Sequence, residues 1–157
     1  MTSPMQKVIL CDTSCLILLD KIDQLHLLHG LFGDVIITSE VKNEFDKELP
    51  GFFKVQNPKD TNYNKILLTF LDKGEASILA LALELGDCLV IMDELKGRRE
   101  AKNLGIKITG TLGVFLLAKE RNLIKELKPL MDQIEQTNFR INRSLVIRAL
   151  EKANEKL

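Results

Sequence analysis

Short apolar runs alternate along this chain with longer stretches in which apolar positions recur every three to four residues. Val8–Cys11 (VILC) predicts a buried strand, and SCLILLDKI after it predicts a helix capped by Ser14. Residues 34–38 (DVIIT), entered through the turn pair Gly33 and Asp34, predict a second strand, and SEVKNEF opens a helix capped by Thr38 or Ser39. Residues 50–58 read as a loop that carries Phe52 and Phe53. TNYNKILLTFLD predicts a helix ending at Gly74, and EASILALALEL a stronger one closed by Gly86. Residues 88–92 (CLVIM) form the most hydrophobic predicted strand. LKGRREAKNL follows as a polar helix closed by Gly105, and residues 106–108 give a short fourth strand. From LGVFLLAKERN onward the pattern is helical to Leu157, with two tail helices broken near Thr137 and Asn138.

Strands that alternate with helices build βαβ units, so the expected fold is α/β with a mostly parallel sheet covered on both faces and right-handed crossovers. No repeat, linker or low-complexity tract divides the chain. We therefore expect one domain over residues 1–157, with a core at about 7–120 and a helical extension at about 121–157 packed on it.

Bulk composition narrows this picture. At 157 residues with 45% hydrophobic positions the chain is long enough to bury a core. Its 22 basic and 22 acidic residues cancel, which argues against a broad basic face gripping long nucleic acid. Cys11, Cys15 and Cys88 are odd in number and lack CxxC spacing, against a disulfide framework or a zinc site. The opening MTSPMQK lacks the apolar segment of a signal peptide, and no run reaches membrane-spanning length. These features predict a soluble, cytoplasmic protein without membrane contact.

The polar residues that fall at strand ends carry the chemistry. In an open parallel sheet, ligands bind beyond the carboxyl ends of the strands. Asp12 follows the first strand and Asp93 the third, while Glu44 lies one to two turns into the helix after the second strand. Glu75 opens the helix that leads into CLVIM. Two carboxylates at about 4 Å repel by about 4 kcal/mol at an effective dielectric near 20. Acids gathered at one rim therefore call for protons or hard, oxygen-seeking cations, and paired divalent ions assist phosphodiester cleavage.

At these residues the chain resembles the PIN-domain family, the metal-dependent ribonuclease fold found in VapC toxins. VILCDTSCLILL is similar to its opening strand with an Asp-Thr/Ser signature. ITSEVKNEF resembles its second motif, a hydroxyl residue followed six positions later by an acid, which selects Glu44 over Glu40. KGEASILALALELG resembles its third, with Glu75 opening an alanine-rich helix, and CLVIMDELKGRREAKNLGIKITGT its fourth, with Asp93. The segment DELKGRREA departs from the usual toxin pattern and marks a branch with a DExxGRxxA fourth motif and a helical C-terminal extension. The resemblance implies a three-layer fold with a four- to five-stranded sheet. It implies a Mg²⁺- or Mn²⁺-dependent endoribonuclease in which Asp12, Glu44, Glu75 and Asp93 are catalytic and hold the metals, and a metal-activated water attacks the RNA phosphodiester. A toxin role, a small antitoxin partner and a homodimer are implied in the same way.

Each residue also has an ordinary reading. Asp12 and Glu75 suit a helix N-terminus, where the dipole favours an acid. Glu44 could sit on an exposed face one turn from Glu40. Thr13 and Ser14 could support the acids or simply cap a helix, and Glu94 could replace or join Asp93. Lys96, Arg98, Arg99 and Lys102 could meet RNA phosphates or form a solvated face. Thr109 and Thr111, around Gly110, fall where they could line the same rim. His26 and His29 lack further ligands and read as surface or turn residues. Two rival functions remain: a PIN-like domain that binds RNA or protein without cutting, and a receiver-like phospho-acceptor domain. The second needs an acidic pair after the first strand, where CDTSC offers one acid.

Overall fold

The computed structural model describes residues 8–156; residues 1–7, the MTSPMQK segment, and Leu157 lie outside the described residues. The chain runs from β1 (Val8–Cys11) through α1 (Thr13–Lys21) and α2 (His26–Phe32) to β2 (Val35–Ile37), α3 (Ser39–Phe45) and β3 (Phe53–Val55). It continues through α4 (Thr61–Leu67), α5 (Lys73–Leu85), β4 (Cys88–Ile91), α6 (Leu95–Asn103) and β5 (Lys107–Thr109). It closes with α7 (Thr111–Glu120), α8 (Lys128–Glu135) and α9 (Arg143–Lys152).

The five strands pair in parallel in the order β3-β2-β1-β4-β5, which bears out the α/β, PIN-like expectation. The chain builds one side of the sheet from β1, then returns to place β4 on the other side. The resulting switch point between β1 and β4 is where a ligand crevice opens in such sheets. Register sharpens this. Cys11 pairs with Ile91, so Asp12 and Asp93 leave adjacent central strands at the same edge. The order also removes the receiver-like alternative, which needs β3 beside β1 on the side away from β2.

Several local expectations change. Phe53–Val55 is a strand inside the expected loop; three residues are too few to show alternation. The helix expected to end at Gly74 stops at Leu67, and Gly74 lies in the first turn of α5. Asp72 caps α5 by accepting from the Glu75 N–H, and Glu75 reaches back to the Asp72 N–H, a capping box that starts a new helix. Asp12, not Ser14, occupies the N-cap of α1. Thr38 caps α3 by accepting from the Val41 N–H.

The core extends from the sheet into the tail, where Leu130, Met131, Ile134, Ala149 and Leu150 join the same buried cluster. Among the described residues, no helix is long and apolar enough to cross a membrane. Glu155 fastens the tail: its carboxylate accepts from the Leu127 N–H at 2.8 Å, the Lys128 N–H at 3.0 Å and Lys119 Nζ at 2.9 Å. Burial pushes this carboxyl up, but the two backbone donors and Lys119 outweigh it and hold it below the ordinary carboxylate range. We expect Glu155→Ala to cost about 2 kcal/mol, because charge-assisted bonds to two helix N-terminal N–H groups are lost. Thermal melting at neutral pH checks this. The difference should shrink as acid protonates Glu155 in the wild type.

Candidate functional site

Asp12 sits where the β1 backbone, held by its N–H to the Ile91 carbonyl at 3.0 Å, turns into α1. At an N-cap a carboxylate ordinarily accepts from the first-turn N–H groups. Asp12 makes no such side-chain cap, is 2% exposed, and leaves Oδ1 without a hydrogen-bond partner. Burial is the main reason its carboxyl is pushed up to about 7; the Thr13 backbone N–H opposes this, and the charges of Asp72, Glu44 and Asp93 add to it.

Glu75, in the first turn of α5, shows the same signature. It is 5% exposed, and while Oε1 takes the Asp72 N–H, Oε2 is buried without a partner. Burial, then its hydrogen bond with Asp72 and repulsion from Asp72 and Asp12, push its carboxyl up to about 8. Gly97 of α6 lies against it: a methyl carbon there would stand 3.1 Å from Oε2 and 2.3 Å from Met92 Sδ.

Glu44 is exposed on α3, and its Oε1 accepts the Thr13 hydroxyl at 2.7 Å. It packs over α5 so closely that a methyl carbon on Gly74 would fall 2.0 Å from the same oxygen. Buried Thr38 and Ser77, joined at 2.7 Å, tie the start of α3 to the first turn of α5, with Ser77 donating to the Gly74 carbonyl. Asp93 follows Met92 and takes the backbone N–H and the hydroxyl of Thr111, together with the thiol of Cys15.

The acids singled out in the sequence come near one another at this end of the sheet: Asp12 feels the charge of Glu44 and Asp93, and Glu75 feels that of Asp12. They do not form a finished cage. Among the described residues no three Asp, Glu, His or Cys side chains lie together as a ready metal site. Three of the four bond a donor of the chain instead, Glu44 to Thr13, Glu75 to the Asp72 N–H and Asp93 to Thr111, while Asp12 Oδ1 bonds none. The four acids nevertheless offer oxygens alone, two of them buried without partners, which fits a hard divalent cation.

The remaining candidates separate. Ser14 is half-buried and bonds none of the acids. Glu94 caps its own helix by accepting from the Lys96 N–H at 3.4 Å. Arg98 donates to the Met92 carbonyl at 2.9 Å and braces the turn that carries Asp93, whereas Lys96, Arg99 and Lys102 are exposed. Thr109 points at Gly113. His26 and His29 are exposed, and His29 stacks on Phe52 with ring centroids 4.9 Å apart.

Sequence reasoning passed over Asp72 and Cys15. The Asp-x-x-Glu spacing of a capping box stands in DKGE, where Gly74 also reads as a helix end. Cys15 lies one turn after Asp12 and its buried thiol reaches Asp93; Thr111, one residue past β5, reaches Asp93 from α7. A protein-family model described as a PIN domain matches residues 8–155. No curated protein matches the chain.

Proposed function

Because the chain belongs to the PIN-domain family, whose members are in general nucleases, we propose that it is a metal-dependent endoribonuclease in which Asp12, Glu44, Glu75 and Asp93 hold Mg²⁺ or Mn²⁺. The observation that carries this reading is the pair of buried, unpartnered carboxylate oxygens, Asp12 Oδ1 and Glu75 Oε2, at the switch point of the sheet. Such atoms are costly unless a charge or a donor completes them. Bound divalent cations would neutralise the rim and polarise the scissile phosphodiester and its attacking water.

The chain's own residues do the rest. Asp12 and Glu75 supply the charge by giving up their protons. Thr13 holds the Glu44 carboxylate toward the crevice. Lys96, Arg99 and Lys102 recur at three-residue spacing on α6, which starts two residues past Asp93, and offer phosphate contacts that register the RNA without reading its sequence. The helical tail belongs to the same unit. A toxin role, a small antitoxin and a homodimer extend the proposal on the resemblance to VapC toxins alone.

Purified protein should cleave single-stranded RNA with Mg²⁺ or Mn²⁺, and both a chelator and Asp93→Asn should abolish cleavage. The bonds that Glu44, Glu75 and Asp93 already make within the chain favour a second reading, in which the domain binds RNA without cutting it. RNA binding that persists while no RNA is cleaved under any divalent ion would select that reading.

A further inference from the structure

Asp93 differs from the other three acids in having donors on both carboxylate oxygens. The Thr111 N–H donates to Oδ1 at 2.8 Å, the Thr111 hydroxyl to Oδ2 at 2.6 Å, and the Cys15 thiol to Oδ2 at 3.1 Å. Thr111 is 0% exposed and is the first residue of the ten-residue α7, so its N–H is one of the donors a helix leaves unpaired at its start. The preceding residue must be small. A methyl carbon on Gly110 would stand 2.5 Å from Asp93 Oδ1 and 3.0 Å from Arg98 Nη1. An ionised carboxylate offers about four lone-pair sites. Two donors occupy Oδ2 and one occupies Oδ1, so the remaining acceptor site is on Oδ1.

We propose that Thr111, seated by Gly110, is a positioning residue that locks the Asp93 carboxylate so that only its Oδ1 edge is offered to a divalent cation. This rests on the metal-centre reading of Asp93. The clamp connects three elements, since Cys15 rides on α1 just after Asp12 while Thr111 opens α7 after the last strand. It fixes Asp93 relative to Asp12 through side chains that never meet the cation. A purely architectural role would tie the β5–α7 turn to β4 and leave cation affinity untouched.

The test is Mn²⁺ binding to chelator-treated protein by titration calorimetry, with melting curves run in parallel. Thr111→Val keeps the N–H and the shape but removes the hydroxyl; it should weaken Mn²⁺ binding by about tenfold or more, while Thr111→Ser should restore it to within about twofold of wild type. Gly110→Ala removes no hydrogen-bonding group and crowds Oδ1 most closely, with the Arg98 guanidinium next, so it should also weaken binding even if Thr111→Val folds poorly. If Thr111→Val and Gly110→Ala bind Mn²⁺ as wild type does while Asp93→Asn does not, the metal centre stands and the positioning role is overturned. If Asp93→Asn itself binds as wild type, Asp93 is no ligand, and the metal-centre reading falls with the proposal.

Discussion

Asp12→Asn is expected to lower RNA cleavage by at least about 10³-fold, the equivalent of about 4 kcal/mol of transition-state stabilisation. It should do so without lowering the melting temperature of the metal-free protein. The two halves of this expectation come from the same geometry. Asp12 is buried, its Oδ1 has no partner, and Asp72, Glu44 and Asp93 repel its charge. An amide of the same shape removes that repulsion together with the anionic ligand. A residue that served only the fold would behave in the opposite way, with activity falling because the protein melts. Cleavage assays beside melting curves in chelator distinguish the cases. Retained activity, or lost activity with a lower melting temperature, would sink the assignment of Asp12 as a cation ligand.

Much of this arrangement is legible in the sequence because strand ends are legible. VILC and CLVIM are apolar and β-branched enough to mark the two central strands, and the first residues after them that break the pattern include Asp12 and Asp93. The alanine-rich helix that opens at Glu75 is buried along Gly74 to Ala82, as its composition suggests. What stays hidden depends on contacts between distant segments. Thr111 and Asp93 are 18 residues apart, and Cys15 and Asp93 78 apart. No local pattern announces that the three share two oxygens. Arg98 shows the converse: in sequence it belongs to a basic run, but its guanidinium turns inward to the Met92 carbonyl, leaving Lys96, Arg99 and Lys102 outside. Phe53–Val55 was hidden for a simpler reason, since a three-residue edge strand takes its identity from pairing with β2.

Glu75→Gln is expected to flatten the pH dependence of stability and to raise the melting temperature of the metal-free protein at about pH 8. The sign follows from linkage. The Glu75 carboxyl titrates near 4.5 when free and at about 8 in the fold, chiefly because it is buried. Between those values the unfolded chain has lost a proton that the folded chain keeps, so stability falls as pH rises, by up to about 1.4 kcal/mol per unit. This contribution is complete below the free value and gone above the folded one. Asp12 acts in the same direction between 3.8 and about 7. Glu155, held below its ordinary value, acts in the opposite sense and only toward acid pH. Wild type in chelator should therefore melt lower at pH 8 than at pH 5, and Glu75→Gln should recover about 2 kcal/mol, or about 5 °C, at the upper end. Saturating Mn²⁺ should reverse the wild-type slope, because cations stabilise the ionised form in proportion to how tightly they bind it. The Gln variant, lacking that ionised form, should gain much less from Mn²⁺. A wild-type melting temperature that stays level or rises between pH 5 and 8 in chelator would show that burial does not retain these protons. The claim that protons and divalent cations compete for one crevice would then fail at its first step.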